Sequence, residues 1–352
     1  MVPPLPAVDD RAAPPDQGTD AFAEPTDAAD EGGSTGDLVT VVVPTYYRNE
    51  RLRDALTSVR DQAYQSVECV VVDGSTDRHA EPVVREFPGY VYLSQPDHQP
   101  AELEGVRAVA AARDLGVAHA AGRYVHFLDD DDRLRPDAIE KQVALLAASE
   151  GVEMVYCGMQ VENGPRRMPS DRVRGQILEQ ALRLQVAPCV PSTMLVSRAL
   201  LERLPPMQTL PHDDASLMIE FAKRTAVDYV DEPLVVRGDP DDSLQSSPSS
   251  LAGRKGTLEA YDHLYERFDP AVRRTAKARV YLQEGVLAVG SRPWSPRAIR
   301  AFALANYYVP GVSPPFAAAL VASLLGRPCW RLGVHLFRAW AGGESRGGIG
   351  SV

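Results

Sequence analysis

Four consecutive aspartates, Asp129 to Asp132, follow directly on the largely apolar run RYVHFL at 123–128. Carboxylates packed this densely repel one another unless a cation shares their space. A divalent metal answers that need. Mg2+ and Mn2+ prefer hard oxygen ligands, commonly take one or two protein carboxylates, and leave their remaining positions to water and substrate phosphates. A helix cap near Pro136 would account for Asp132, since an acid is favoured beside the exposed amides of a first turn, but one cap needs only one side chain. The run as a whole points to metal and diphosphate chemistry.

A group of this kind must be held at the end of something rigid. The β-branched run VTVVV (39–43), closed by Pro44, reads as a buried parallel strand, and VECVVVDG (67–74), YVYLS (90–94), RYVHFLD (123–129) and VEMVYCGMQV (152–161) read as further strands. Between them, helices are predicted over 50–62, 80–87, 101–121 and 136–148, the first from Leu52, Leu56 and Val59 on one side. Alternation of this type predicts an α/β sheet covered on both faces. In such sheets ligands lie beyond the carboxyl ends of the strands, so the polar residues to watch are Thr45 to Tyr47, Asp73 to Asp77 and Asp129 to Asp132.

Composition bounds the rest. With 352 residues and 44% hydrophobic content, the chain can bury one large core and a smaller appendage. The net charge of −11 is uneven: residues 1–37 are acidic, Pro- and Ala-rich and expected to be disordered, whereas residues 253–352 carry an excess of base. An acidic middle is a poor partner for nucleic acid, which needs a basic footprint. Cys69, Cys157, Cys189 and Cys329 lie far apart and suggest buried thiols rather than a disulfide framework or zinc site, and with no apolar leader at the start a cytoplasmic setting is expected. The stretch between Arg300 and Arg327 is uncharged but broken by Pro310, Pro314 and Pro315, which disfavours a membrane span. Two alternatives remain open for residues 290–340. They could form amphipathic helices at the inner membrane face, with Tyr307, Tyr308, Trp330 and Trp340 near the headgroups, or a helical cap on the catalytic part.

The segments VVVPTYYR, VVVDGSTD, AAARDLGVAHAAGRYVHFLDDDD and PHDDASLMIEFAKR, in that order across Val39 to Arg237, resemble the successive motifs of family 2 glycosyltransferases. The resemblance implies a GT-A fold: a mixed, mostly parallel sheet flanked by helices over 38–252, here with a helical extension over 253–352. It also implies an inverting, metal-dependent transfer of a sugar from a UDP-, GDP- or dTDP-linked donor to a glycan or polyprenyl-linked acceptor, with Mg2+ or Mn2+. By this resemblance Pro44, Thr45, Tyr46 and Asp73 hold base and ribose, Arg113 supports the donor pocket, and Asp129 and Asp130 stand near ribose. Asp131, with Asp129, holds the metal. A hydroxyl attacks well only once a carboxylate takes its proton, and Asp214 aligns with that general base, Asp213 with its neighbour. The family often shows two acids before Gly-Ser, whereas this chain reads Val72-Asp73-Gly74.

Each assignment has a plainer competitor: an N-cap for Asp213 and Asp214, a surface ion pair for Arg113, and, for His212 as a candidate metal ligand, a solvent-facing loop. Arg237, after VDEPLVVR, is a further candidate for the diphosphate. Among other functions, a nucleotidyltransferase usually carries a Gly-rich basic loop where this chain has PTYYRNE. A non-catalytic nucleotide-sugar binder would not need both acidic groups, and a Rossmann dehydrogenase would need GxGxxG.

Overall fold

A computed structural model describes residues 37–98, 103–162, 164–211, 213–238, 248–289, 295–309 and 314–325. The expected acidic tail at 1–36, His212, Pro310, and the distal Trp330, Trp340 and Cys329 lie outside the described residues.

The strands are β1 (Val39–Thr45), β2 (Val67–Asp73), β3 (Val91–Ser94), β4 (Tyr124–Phe127), β5 (Arg133–Leu134), β6 (Val152–Val161), β7 (Arg166–Arg167), β8 (Met194–Ser197) and β9 (Ala226–Arg237). The helices are α1 (Asn49–Arg60), α2 (Glu81–Val84), α3 (Val106–Ala118), α4 (Ala138–Ala148), α5 (Leu178–Leu182), α6 (Arg198–Leu201), α7 (Asp213–Ala222), α8 (Pro248–Ala260), α9 (Asp262–Tyr265), α10 (Pro270–Val289), α11 (Pro296–Tyr308) and α12 (Pro314–Leu325).

All strands join one sheet in the order β3-β2-β1-β4-β8-β6-β9-β5, with β7 attached to β6. The first four pair in parallel, β8 runs antiparallel between β4 and β6, and the long β6–β9 ladder is parallel again. This is the mixed, mostly parallel sheet expected of a GT-A fold.

Side-chain alternation explains why β1 is apolar throughout. Val39, Val41 and Val43 enter one core with Leu52, Leu56 and Val59 of α1, while Val42 enters the other core with Val125 and Phe127 of β4. A strand covered on both faces gains from a β-branched residue at every position, each worth about 1.5–3 kcal/mol when fully buried. The second core continues without a break past residue 252: Leu217, Met218 and Phe221 of α7 share it with Tyr261, Leu264, Tyr265, Val272 and Ala276. Farther on, α11 packs Ala298, Phe302 and Ala305 against Leu282, Ala288 and Val289 of α10. Among the described residues no helix is long and apolar enough to cross a membrane.

Several boundaries differ from the sequence expectation. The helix expected over 101–121 begins only at Val106, after Gly105 in a left-handed conformation (φ 57°). The helix expected over 80–87 is a single turn, α2. Asp137, not Asp132, precedes α4, and its side chain makes no capping bond.

Candidate active site

The parallel register sets Thr45 of β1 beside Asp73 of β2, and Asp73 beside Ser94 of β3, on one edge of the sheet. Strand β4 is locked to the same edge by the bond from Leu128 N–H to the Val42 carbonyl at 3.0 Å, so the four aspartates emerge at the strand carboxyl ends.

The four then diverge. Asp130 is buried and turned back into the protein: Thr45 Oγ1 donates to its Oδ2 at 2.8 Å and Arg48 Nη1 to its Oδ1 at 3.2 Å. Asp129 Oδ1 accepts from Arg113 Nη2 at 2.8 Å, and the Asp129 backbone N–H donates to Ser192 Oγ at 3.1 Å. Asp132 Oδ1 accepts from the Gly238 N–H at 3.1 Å, and Asp131 Oδ2 meets Arg48 Nη1 at 3.2 Å. One oxygen each of Asp129, Asp131 and Asp132 lie within 4.8 Å of one another. Adjacent oxygens around an octahedral Mg2+ or Mn2+ stand about 3 Å apart and opposite ones about 4 Å, so small side-chain rotations would bring this trio to one ion.

The electrostatics agree with that use. Burial pushes the Asp130 carboxyl up to about 6 and the Asp132 carboxyl to about 7, with the neighbouring aspartates adding to both; Asp131 is raised by burial and by Asp129. Arg48 opposes the shift at Asp130 and Asp131, and Arg237 opposes it at Asp131 and Asp132. The donor set is therefore hard, crowded and partly withdrawn from water, which suits a divalent cation.

Arg113 is almost wholly buried on α3, 3% exposed, with its guanidinium over the Phe127 ring at 6.0 Å. Besides Asp129 it faces Asp214 Oδ1 at 3.6 Å, so the two acidic groups meet at one side chain. The neighbouring Asp114 accepts from the Met207 and Gln208 N–H groups at 2.9 and 3.0 Å and thereby fixes the segment leading toward α7, which Asp213 opens.

Pro44 is buried in β1, with its carbonyl side carrying the chain into Thr45. Asp73 is fully buried. Its Oδ1 accepts from Ser75 N–H at 2.9 Å, and its Oδ2 accepts from Ala80 N–H at 2.9 Å and Tyr92 OH at 3.0 Å. Both oxygens thus brace the loop from Gly74 to Ala80. That loop faces Tyr46, which is 64% exposed and set edge-on to Tyr47 at 4.7 Å. A Cβ on Gly74 would stand 3.4 Å from the Tyr46 ring and 3.1 Å from Gln95 Oε1, so Gly74 packs closely against both side chains.

Four contributors lay outside the sequence reading. Arg48 and Arg51 stand one and four residues after Tyr47, and their place next to a strand end was a usable signal. Ser192 and Gly238 carry no signal, because only the folding of β8 and β9 onto the sheet brings them to Asp129 and Asp132.

Similarity to known proteins agrees with this geometry. Glycosyltransferase GlyA of Streptococcus pneumoniae is 40% identical over 106 residues, which is 30% of this chain and 14% of that protein. The putative teichuronic acid biosynthesis glycosyltransferase TuaG of Bacillus subtilis is 31% identical over 109 residues, 31% of this chain and 42% of that protein. The chain thus spans less than half the length of either relative. Among solved structures, the mannosyltransferase PcManGT from Pyrobaculum calidifontis, in complex with GDP-mannose and Mn2+, superposes with a TM-score of 0.52 at 20% identity, covering 89% of each chain. Residues 40–204, which hold Thr45, Asp73, Arg113 and all four clustered aspartates, match the family model described as glycosyl transferase family 2.

Proposed function

We propose that the chain transfers a sugar, with inversion, from a nucleoside diphosphate donor to an acceptor hydroxyl, with Mg2+ or Mn2+ held by Asp131, Asp129 and Asp132. The observation that carries the reading is the contact of Arg113 with both Asp129 and Asp214, at 2.8 and 3.6 Å. It supports a donor-side carboxylate and a proton acceptor brought to the two terminal nitrogens of one buried guanidinium, close enough to serve a single displacement.

In this reading the nucleobase lies against the exposed Tyr46 ring, beside the loop braced by Asp73. Arg113 orients Asp129 toward the ribose side and keeps Asp214 from drifting. Asp214 takes the proton of the acceptor hydroxyl as the oxygen attacks the anomeric carbon, and Asp213 stands beside it. Arg237 adds positive charge close to Asp131 and Asp132, where the diphosphate leaves. A bound dication would act as a Lewis acid on the diphosphate.

UDP-, GDP- and dTDP-linked donors are the candidates, with a glycan or polyprenyl-linked hydroxyl as acceptor. The complex of PcManGT with GDP-mannose and Mn2+ supports this class of donor and ion through the shared fold. Peripheral attachment to a membrane would fit a lipid-linked acceptor, and the exposed Tyr307 together with Lys277 over the Tyr308 ring at 5.3 Å gives α10 and α11 an aromatic, cationic corner suited to it.

The test is release of nucleoside diphosphate from a panel of donors with Mn2+, using the wild type, Asp131→Asn and EDTA. Turnover that survives both the substitution and chelation would remove the metal-dependent reading. Binding of a nucleotide sugar with no turnover toward any hydroxyl acceptor would favour a binding protein instead. Flotation with anionic liposomes checks the membrane attachment separately.

A further inference from the structure

Asp131 is claimed twice. It belongs to the trio of carboxylates that could hold a divalent ion, and its Oδ2 also lies 3.2 Å from Arg48 Nη1 and 3.8 Å from Arg51 Nη1. The same Arg48 nitrogen reaches Asp130 Oδ1 at 3.2 Å, so a single guanidinium nitrogen bridges two neighbouring carboxylates. A dication and a guanidinium compete for one carboxylate, because each is repelled by the other and both seek the same lone pairs.

The geometry leaves room for an exchange. Arg48 is anchored by its backbone, whose carbonyl accepts from the Leu52 N–H at 2.9 Å in the first turn of α1, while its side chain is one-third exposed and long enough to swing. Asp130 keeps its place without Arg48, since Thr45 holds its other oxygen at 2.8 Å. Such a movement releases Asp131 from its shorter arginine contact and leaves it the longer one to Arg51, at 3.8 Å. A planar guanidinium leaving a carboxylate next to a diphosphate site has a second anion of matching geometry at hand.

We propose that Arg48 is an exchangeable counter-cation: it neutralises Asp130 and Asp131 until the divalent ion takes Asp131, and then turns to the diphosphate of the donor. This rests on the reading of the site as one for a nucleoside diphosphate and a divalent ion. Arg48 is a positioning residue that weakens the binding of metal alone and strengthens the binding of metal and nucleotide together. Those two effects have opposite signs, which a merely structural role would not produce.

The experiment measures Mn2+ affinity on the full chain by calorimetry or electron paramagnetic resonance, first without nucleotide. The variants are Arg48→Gln, Arg48→Lys and Asp131→Asn. Expected are Mn2+ binding about fivefold tighter or more in Arg48→Gln, near wild type in Arg48→Lys, and at least about tenfold weaker in Asp131→Asn. With Mn2+ saturating, Arg48→Gln should bind whichever of UDP, GDP and dTDP the wild type prefers about tenfold more weakly. Unchanged or weaker Mn2+ binding in Arg48→Gln, alongside a loss in Asp131→Asn, would overturn the exchange while leaving the metal site standing. Undiminished nucleotide binding in Arg48→Gln would overturn it as well. A wild type that binds no Mn2+, or binds it equally well after Asp131→Asn, would remove the metal site and the exchange together.

Discussion

Asp129 and Asp214, far apart in the chain, are joined through one buried guanidinium: Arg113 donates to Asp129 Oδ1 at 2.8 Å and stands 3.6 Å from Asp214 Oδ1. Placing a cation on the helix that packs beneath both groups keeps two like charges at a fixed separation.

Arg113→Ala should therefore do more than remove a donor contact. It leaves Asp129, itself 39% exposed, and Asp214 without their cation, and losing a charge-assisted hydrogen bond of this half-buried kind costs about 1.5–3 kcal/mol. Urea unfolding should show a loss of that order. Arg113→Lys restores the charge but not the two-pronged reach, so it should recover most of the stability while turnover stays at least about tenfold low.

Asp214→Asn keeps the shape and removes the carboxylate proposed as proton acceptor. Donor binding, followed by the change in protein fluorescence on nucleotide addition, should stay within about twofold, while transfer to acceptor falls by roughly 10²–10⁴. Full transfer by this variant would assign the base elsewhere.

Gly238 closes on the aspartates more tightly than any residue with a Cβ could. A Cβ there would stand 2.4 Å from the Asp131 carbonyl oxygen, and the Gly238 N–H also donates to Asp132. Gly238→Ala should force β9 and the aspartate turn apart, with an overpacking cost of about 1–3 kcal/mol. Because the displaced atoms belong to Asp131, Mn2+ affinity measured by calorimetry should fall together with stability.

His126 offers a pH test. It lies fully buried on β4, and burial pushes its imidazole down to about 4. In the unfolded chain the ring titrates near its ordinary value of about 6.5. Between those two values the unfolded state binds a proton that the folded state refuses, so stability is intact above about 6.5 and declines as the pH falls toward 4. From pH 7 to pH 5 the loss should be about 2 kcal/mol in the wild type, and His126→Gln should lack that component. Denaturant midpoints at a series of pH values, compared between the two, would reveal it; parallel curves would exclude it.

The strands that carry the site were legible because their residues serve two cores at once: VTVVV has no polar face to hide. The aspartate run was legible for a similar reason, since its charge density has few structural uses. Strands β5, β7 and β8 were not, for two to four residues give no period to read. The start of α3 was missed because the helical pattern runs back past Gly105, whose positive φ ends it. Within the site, the residue types were visible but their commitments were not. Nothing local says that Asp73 gives both oxygens to the loop after it, or that Asp130 turns inward to Thr45 while one oxygen each of its three neighbours gathers within 4.8 Å.

The core that α7 shares with α9 and α10 has a consequence for how the protein can be divided. Cutting the chain after residue 252 would strip cover from Leu217, Met218 and Phe221, directly behind the helix that Asp213 opens. Helix α9 and the start of α10 are therefore not detachable from α7: they cover its apolar face, and a protein cut there should come out of the cell aggregated or with its Asp214 helix adrift.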